Sequence, residues 1–289
     1  FVHMNIDDYD VKNELPEKLE AEDKWIISTL NTYTKEIREN LDKFELGIAV
    51  QKLYDFIWDC FCDWYIELAK SRLQSEGESA QNARQVLVWV LTKILLLLHP
   101  FMPFITEEIW QSLPHEGETI MTQAYPEYDE ALNFPEASHE MEMVMEAIKA
   151  IRNRRAEMNV PPSRKAKVYI AAKEQKPYVN GEKFIIKLAS ANEVEIGESF
   201  ELEGAVTIVT ADAKIYIPLG DLVDFEAEKK RLQKELAAAE DKLAFINKKL
   251  SNPGFVNKAP EKVVNQNRED AAKLEEKISA IKKSIEEIG

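Results

Sequence analysis

Six cationic side chains fall within sixteen residues: Arg152, Arg154 and Arg155, then Arg164, Lys165 and Lys167 beyond Pro161-Pro162. Guanidinium forks match phosphate oxygens, and each neutralised phosphate releases condensed counterions, so the pattern suits a polyanion. The same residues could instead pair with Glu146 and Glu157, or lie at a helix C-terminus whose dipole favours positive charge. On charge alone both readings stay open. A second group, Lys248, Lys249, Lys258, Lys262 and Arg268, contains only Glu261 as an acid before Arg268. It fits either the solvated face of a coiled coil or a contact with a folded RNA read by shape and backbone.

Catalytic machinery is not legible. There is no glycine-rich phosphate loop, no His-Glu-x-x-His pair and no serine in a nucleophile elbow, and His3, His99, His115 and His139 have no ligand spacing. Glu107 and Glu108 are adjacent, and neighbours on a helix diverge, so they read as a solvated face. No nucleophile, base or metal ligand is assigned. Cys60 and Cys62 lack the second pair a zinc site needs and read as buried thiols in a reducing, cytoplasmic setting.

The elements that would carry the two cationic groups follow from hydrophobic spacing. From Leu222 to Gly289 the residues Phe225, Lys229, Leu232, Leu236, Ala239, Leu243, Ile246 and Leu250 step by fours and threes. Val264, Asn267, Ala271, Leu274, Ile278, Ile281, Ile285 and Ile288 repeat the rhythm, which is a coiled-coil seam. Ser251-Asn252-Pro253-Gly254 between them would end one helix and reverse the chain. Roughly 28 residues per helix would make an arm on the order of 40 Å long. Such an arm is expected to reach for something.

Residues 1–135 read as an all-helical bundle. Trp25 or Ile26, Leu30, Tyr33, Ile37 and Leu41 mark one amphipathic helix, and Leu46, Ala49, Leu53, Ile57, Cys60, Trp64 and Leu68 a second. A third runs from about Ala80 to Leu98 until Pro100 and Pro103 interrupt it, and Pro103 can open a short helix through Trp110. The tryptophans 25, 58, 64, 89 and 110 all fall here and are expected in the core. Residues 136–220 read as a small α+β unit. It comprises a helix over 138–158, strands at 166–171, 194–196, 205–209 and 214–217, a turn at Thr210-Ala211-Asp212-Ala213, and a helix at 184–189 packed on the sheet. Residues 221–289 are the arm. The fold class is therefore mainly α, with a helical bundle, a small α+β unit and a C-terminal antiparallel coiled-coil hairpin.

The chain is 45% hydrophobic and 31% charged, which is globular composition. Its net charge of −15 divides into −16 for 1–140, +1 for 141–220 and 0 for 221–289, so a nucleic-acid surface must be local or lie in the second half. The longest apolar run, Val86 to Ile105, contains Lys93, His99, Pro100 and Pro103 and reads as a buried helix rather than a membrane span. Phe1 in place of an initiator methionine suggests a piece of a longer polypeptide.

Three stretches resemble the anticodon-binding bundle of class I aminoacyl-tRNA synthetases, the valyl branch in particular: Leu53-Tyr54-Asp55-Phe56-Ile57-Trp58, Cys62-Asp63-Trp64-Tyr65-Ile66-Glu67, and the run from Leu98-His99-Pro100-Phe101-Met102-Pro103 to Glu108-Ile109-Trp110. The break at His99 to Phe104 is shared with the leucyl and isoleucyl branches. The stretch from Ile151 to Pro162 and the turn from Leu250 to Pro260 look specifically valyl, and the likeness spans essentially all 289 residues. The resemblance implies a parent that activates valine with ATP and magnesium, transfers it to tRNA and edits misactivated threonine. Its His-Ile-Gly-His-like and Lys-Met-Ser-Lys-Ser-like signatures are missing from this chain. What remains for the chain is tRNA holding: the bundle at the anticodon stem-loop, the arm at the outer corner where the D and T loops meet. The expected partner is tRNA(Val), with no cofactor in the fragment itself, no membrane and a monomeric state. The cations of both groups are the candidate tRNA ligands, and Arg38 and Lys43 are candidate anticodon readers. The rival from another class is a coiled-coil protein-interaction module, suited by the acidic bundle and neutral arm. An independent enzyme is a third reading.

Overall fold

The computed structural model describes residues 1–7, 9–222, 225–251 and 261–288, leaving the side chains of 225–232, 261–262, 280 and 283–288 outside the description. The chain forms two compact units. The first holds Phe1–Ala150 together with Ala172–Ala189 and Thr210–Ala213, and the second holds Ile151–Ala171, Ser190–Val209 and Lys214–Gly289.

The first unit is helical: α1 (Val2–Ile6), α2 (Ala21–Asp42), α3 (Leu46–Asp55), a π-helical stretch (Phe56–Tyr65), α4 (Ile66–Leu73), α5 (Glu78–Leu98) and α6 (Pro103–Gln111). Helix α2 opens where the Glu20 N–H donates to the Asp23 carboxylate at 3.1 Å, satisfying one donor that a helix start leaves without an internal partner. Between α5 and α6 the amides of Phe101 and Met102 both donate to the Leu98 carbonyl, and Pro103 opens α6 where a missing donor is harmless. His99 Nδ1 lies 2.7 Å from Thr106 Oγ1 across this corner. The break at His99 to Phe104 is thus a helix–helix corner. No helix among the described residues is long and apolar enough to cross a membrane.

The stretch Phe56–Tyr65 changes which residues face the core. In a π-helix the bonds run from i to i+5, so the buried positions step by five and four, through Phe56, Phe61 and Tyr65, instead of by the α-helical four and three. The spacing expected through Ile57, Cys60 and Trp64 is corrected accordingly: Trp64 is buried, while Ile57 and Cys60 are only half-buried and Leu46 is exposed. Trp58 is also turned outward at 52% exposure, so the tryptophans do not all serve the core; Trp25, Trp64 and Trp110 do, and Trp89 is half-buried. Cys62 is half-buried as well, and burial, with the Asp59 charge next, pushes the Cys60 thiol up to about 11.

A charged cluster lies inside this unit. Arg72 of α4 donates to Glu22 at 3.1 Å and to Asp23 at 2.8 Å, and the Tyr65 hydroxyl donates to the other Asp23 oxygen at 2.8 Å. Arg72 also reaches Ser79 Oγ at 2.9 Å and the Ser79 carbonyl at 3.0 Å, which ties the start of α5 to α2 and α4. Both carboxylates are excluded from water. Burial raises Glu22 against the opposing pull of Lys183, 3.8 Å away, and of Arg72. Burial and the Asp23 charge hold the Tyr65 phenol well above its ordinary value.

The long helix α7 (Pro135–Glu157) leads to strand β1 (Ala166–Ala172), helix α8 (Lys176–Leu188), and strands β2 (Ala191–Gly197), β3 (Ala205–Val209) and β4 (Ala213–Pro218). The sheet order is β2-β1-β4-β3, with β1 parallel to β2 and β3 antiparallel to β4. Ala166, Val168 and Ile170 in β1, and Ala213, Ile215 and Ile217 in β4, are buried at the two-residue period of a strand with one face inward. The Thr210 turn forms as expected, its amide donating to the Ala213 carbonyl at 2.9 Å. Helix α8 is longer than its apolar end suggests, because Pro177 lets it open about two turns early. It groups with the bundle rather than with the strands. Gly181 lies so close to Val144 that a Cβ there would sit 2.5 Å from a valine methyl, and Lys176 reaches Glu140 at 2.6 Å.

Helix α9 (Leu219–Leu222) precedes α10 (Phe225–Leu250) and α11 (Glu261–Ile288), which lie side by side with Lys277 2.8 Å from Glu235 and Lys282 2.9 Å from Glu240. Of the heptad positions with described side chains, Ala239, Val264, Ala271, Ile278 and Ile281 are buried, and Leu236, Leu243, Ile246, Leu250, Asn267 and Leu274 half-buried. The expected turn residues Asn252, Pro253 and Gly254 lie outside the described residues, as does Lys258.

The buried cluster yields a graded stability series. Tyr65→Phe removes one donor from Asp23 and should lower the unfolding free energy by about 1.5–3 kcal/mol, the range for hydrogen bonds to charged groups. Arg72→Met leaves two buried carboxylates without their cation and should cost about 3–5 kcal/mol. Urea denaturation of the two variants measures both.

Candidate nucleic-acid interface

The first cationic group is assembled by the end of α7. Asn159 takes a left-handed conformation, φ 54°, and the amides of Asn159 and Val160 fold back to the carbonyls of Ala156 and Arg155 at 3.0 and 2.9 Å. Asparagine tolerates this geometry, and Pro161 cannot continue a helix, so Asn159-Val160-Pro161 is a helix stop. The cations on either side of it then part company.

Arg155 is 5% exposed, its Nη2 donating to the carbonyls of Pro161, at 3.3 Å, and of Arg164. Burial lowers its pKa. Arg164 is half-buried and donates from Nε to the Asp221 carbonyl at 2.6 Å and from Nη2 to the Gly220 carbonyl at 3.3 Å. Lys167 sits between Glu193 and Glu195 at 3.1 and 3.0 Å, above the Tyr169 ring, and the hydrogen bonds it donates to Glu195 and Glu193 raise its pKa. Arg152, Arg154 and Lys165 are exposed. Arg154 pairs with Glu157 at 3.0 Å, as the alternative charge reading anticipates, whereas Arg152 and Lys165 have no hydrogen bond or ion pair among the described residues. Four of the six candidates thus hold protein groups, Arg154 at an exposed position, and Arg152 and Lys165 present their charge to water.

In the second group Lys248, Lys249 and Arg268 are exposed, with the Lys249 ammonium 4.4 Å from the centre of the Phe245 ring. Phe245 is itself 60% exposed and lines an open groove of α10 and α11 with Ile246, Leu274, Asp241 and Asp270. Lys258 lies outside the described residues; Lys262 is within α11, with its side chain outside the description.

The bundle offers a surface that charge counting overlooks. Phe44, between α2 and α3, is in the left-handed region at φ 59° and is 88% exposed. Its amide donates to the Leu41 carbonyl at 2.9 Å and the next amide, of Glu45, to Asn40 at 2.8 Å. A bulky residue in that conformation is strained by about 1–2 kcal/mol relative to glycine. A strained phenyl ring facing water serves no packing purpose. Tyr54 and Trp58, on the next helix, are also exposed, their ring centres 6.2 Å apart. Exposed aromatic planes are what unstacked bases need. The sequence signal was faint: an aromatic residue just past a helix end, beside Lys43. Lys43 is exposed, while Arg38 is engaged, donating to the Pro126 carbonyl at 3.1 Å and lying 3.3 Å from Glu127.

A helical bundle with exposed aromatics, followed by a basic helix stop, defines the class: residues 23–170 match the anticodon-binding domain of tRNA ligase. Residues 224–289 match the valyl tRNA synthetase tRNA binding arm. The chain belongs to the valyl-tRNA synthetase family, as its C-terminal part. It is 48% identical to the valine–tRNA ligase of Clostridium tetani and 46% identical to that of Clostridium perfringens, over 100% and 99% of this chain and 33% of each relative. The enzyme of Carboxydothermus hydrogenoformans is 44% identical over 93% of this chain and 31% of its own length. The chain therefore spans about a third of the curated relatives it matches.

The division among the cations predicts unequal costs. Arg155→Met leaves two carbonyls without their donor and should lower the unfolding free energy by about 1–3 kcal/mol. Arg152→Ala, exposed and unpaired among the described residues, should change it by less than about 0.5 kcal/mol. Chemical denaturation at fixed ionic strength separates them.

Proposed function

We propose that this chain is the tRNA-holding portion of a valine–tRNA ligase and that it registers tRNA(Val) on a catalytic part outside its own residues. The observation that carries the reading is that both ends of the chain match tRNA-handling models, the bundle an anticodon-binding domain and α10 with α11 a tRNA-binding arm. Functionally the chain divides into a bundle at 1–135 for the anticodon stem-loop, a small α+β unit at 136–220 that joins it to the arm, and an antiparallel coiled-coil arm at 221–289 for the outer corner of the tRNA. Rigid registration of an RNA far from the reacting end accelerates transfer only if the intervening elements hold their spacing. The side-by-side packing of α10 and α11, with a seam at heptad spacing, supports a stiff arm.

In the bundle, Phe44, Tyr54 and Trp58 are the planes on which splayed anticodon bases would stack. Arg152, Arg154 and Lys165, with Lys248, Lys249, Lys258, Lys262 and Arg268 on the arm, are the cations left for phosphates. ATP and magnesium belong to the parent's activation step. A monomer in the cytoplasm is the expected working state. The rival protein-interaction reading draws no support from the family matches.

Titration with valine tRNA at several salt concentrations tests the reading. Affinity should fall with salt by a log-log slope of about 0.7–0.9 per phosphate contact, and joint replacement of Lys248, Lys249 and Lys258 by alanine should flatten it. Salt-insensitive behaviour, with a discrete protein partner, would favour the rival. Phe44→Gly should act oppositely on fold and binding. Relief of the left-handed strain should leave the fold unchanged or more stable by up to about 1 kcal/mol, given glycine's own entropy cost. The lost stacking plane should weaken tRNA binding by about 1–3 kcal/mol. Thermal melts paired with filter binding measure the two signs.

A further inference from the structure

One of the residues that most resemble a phosphate grip in the sequence, Arg164, is bound to the segment just before α10. Arg164 donates to two successive carbonyls, Gly220 and Asp221, in the four-residue helix α9. A carbonyl oxygen accepts through two lone pairs, and a guanidinium fork supplies donors to two such oxygens at once. The Asp221 carboxylate in turn accepts the Lys167 amide at 3.1 Å, fastening α9 to the start of β1. The Arg164 carbonyl accepts from the buried Arg155, which joins the same loop to the end of α7. Finally, the Leu219 amide donates to Gly204 at 3.0 Å, and Leu222 is buried. Four chain segments, the end of α7, the start of β1, the residue before β3 and α9, therefore meet in one closed set of bonds immediately before α10.

We propose that Arg164, with Asp221, is a positioning pair that sets the direction in which the arm leaves the sheet, and that Arg164 is not a phosphate ligand. The lever explains why such a lock is worth two arginines. A helix of 26 residues is about 39 Å long, so an error of about 15° at its root displaces the far end by about 10 Å. An arm that wanders by that amount cannot select one RNA outline among many. The proposal rests on the tRNA-holding reading for its purpose, but not for its geometry.

The experiment uses the full chain with Cys60 and Cys62 replaced by serine and spin labels at Asn192→Cys on β2 and Ala238→Cys on α10, both exposed positions. Pulsed electron paramagnetic resonance should give one narrow distance distribution, broadened or displaced by Asp221→Ala and by Arg164→Lys alike. Both variants, kept only if they melt within a few degrees of the parent, should bind valine tRNA about tenfold more weakly. Their salt slope should equal the parent's. A direct phosphate contact makes the opposite forecast: Arg164→Lys keeps its charge and its affinity, Asp221→Ala loses an acid and binds as well or better, and Arg164→Ala flattens the slope by about 0.7–0.9. That outcome, or unaltered distances in both variants, overturns the proposal. Failure of the unsubstituted chain to bind tRNA would overturn the functional reading instead, and the spin-label distances alone would then decide the lock.

Discussion

Two carboxylates inside a helical bundle, Glu22 and Asp23, require donors that water cannot supply, and their need organises the first unit. Arg72 and Tyr65 can meet at Asp23 and its neighbour, with Ser79 accepting from Arg72, only if α2, the π-helical stretch, α4 and the start of α5 keep a single arrangement. Apolar surface alone would allow these helices to slide or rotate by a residue at modest cost. A buried charge does not, because a half-made set of bonds is worse than none. The cluster adds specificity more than depth: net gain from buried ion pairs is small, while the penalty for mispairing is large.

The second unit follows a related logic at its surface. Cations close together in sequence need not act together: the helix stop at Asn159 sends them to different tasks. Arg155 and Arg164 serve backbone carbonyls, Lys167 neutralises two glutamates on the neighbouring strand, and only the remainder present charge outward. Within this unit, charge counts from the sequence overstate the electrostatic surface available to a polyanion.

What could be read in advance divides along physical lines. Helix α2, with a steady 3.6-residue stripe, and strands with alternating burial, β1 and β4, were legible because one face decides their fate, and α5 because it is apolar on most sides. In α10 and α11 the heptad positions Ala239, Val264, Ala271, Ile278 and Ile281 are buried among the described side chains. Helix α8 was extended by Pro177, whose effect depends on where a helix begins, and its partner, Val144, lies outside any local window. The π-helical stretch was invisible because local spacing cannot announce a change of bonding period, and Trp58 was assigned inward as a result. The family likeness identified the chain's role through motifs whose physical content emerged only in three dimensions: His99 to Phe104 as a corner, Arg152 to Pro162 as a helix stop. Phe44 carried no motif at all, since strain and exposure are properties of a backbone angle and a neighbourhood.

The widened stretch between Phe56 and Tyr65 also bears on how this domain can vary. A segment bonded from i to i+5 holds more residues per turn than an α-helix, and is in effect a place where surplus length is stored. Loss of one residue there is absorbed where the winding returns locally to the tighter helix; where it does not, everything C-terminal turns by about 100° relative to what precedes it. Arg72 and Tyr65 lie on or beyond the stretch, and Asp23 does not turn with them. Length changes at this point are thus coupled to the charge cluster, and only those that bring Arg72 back to its acids would leave a working bundle.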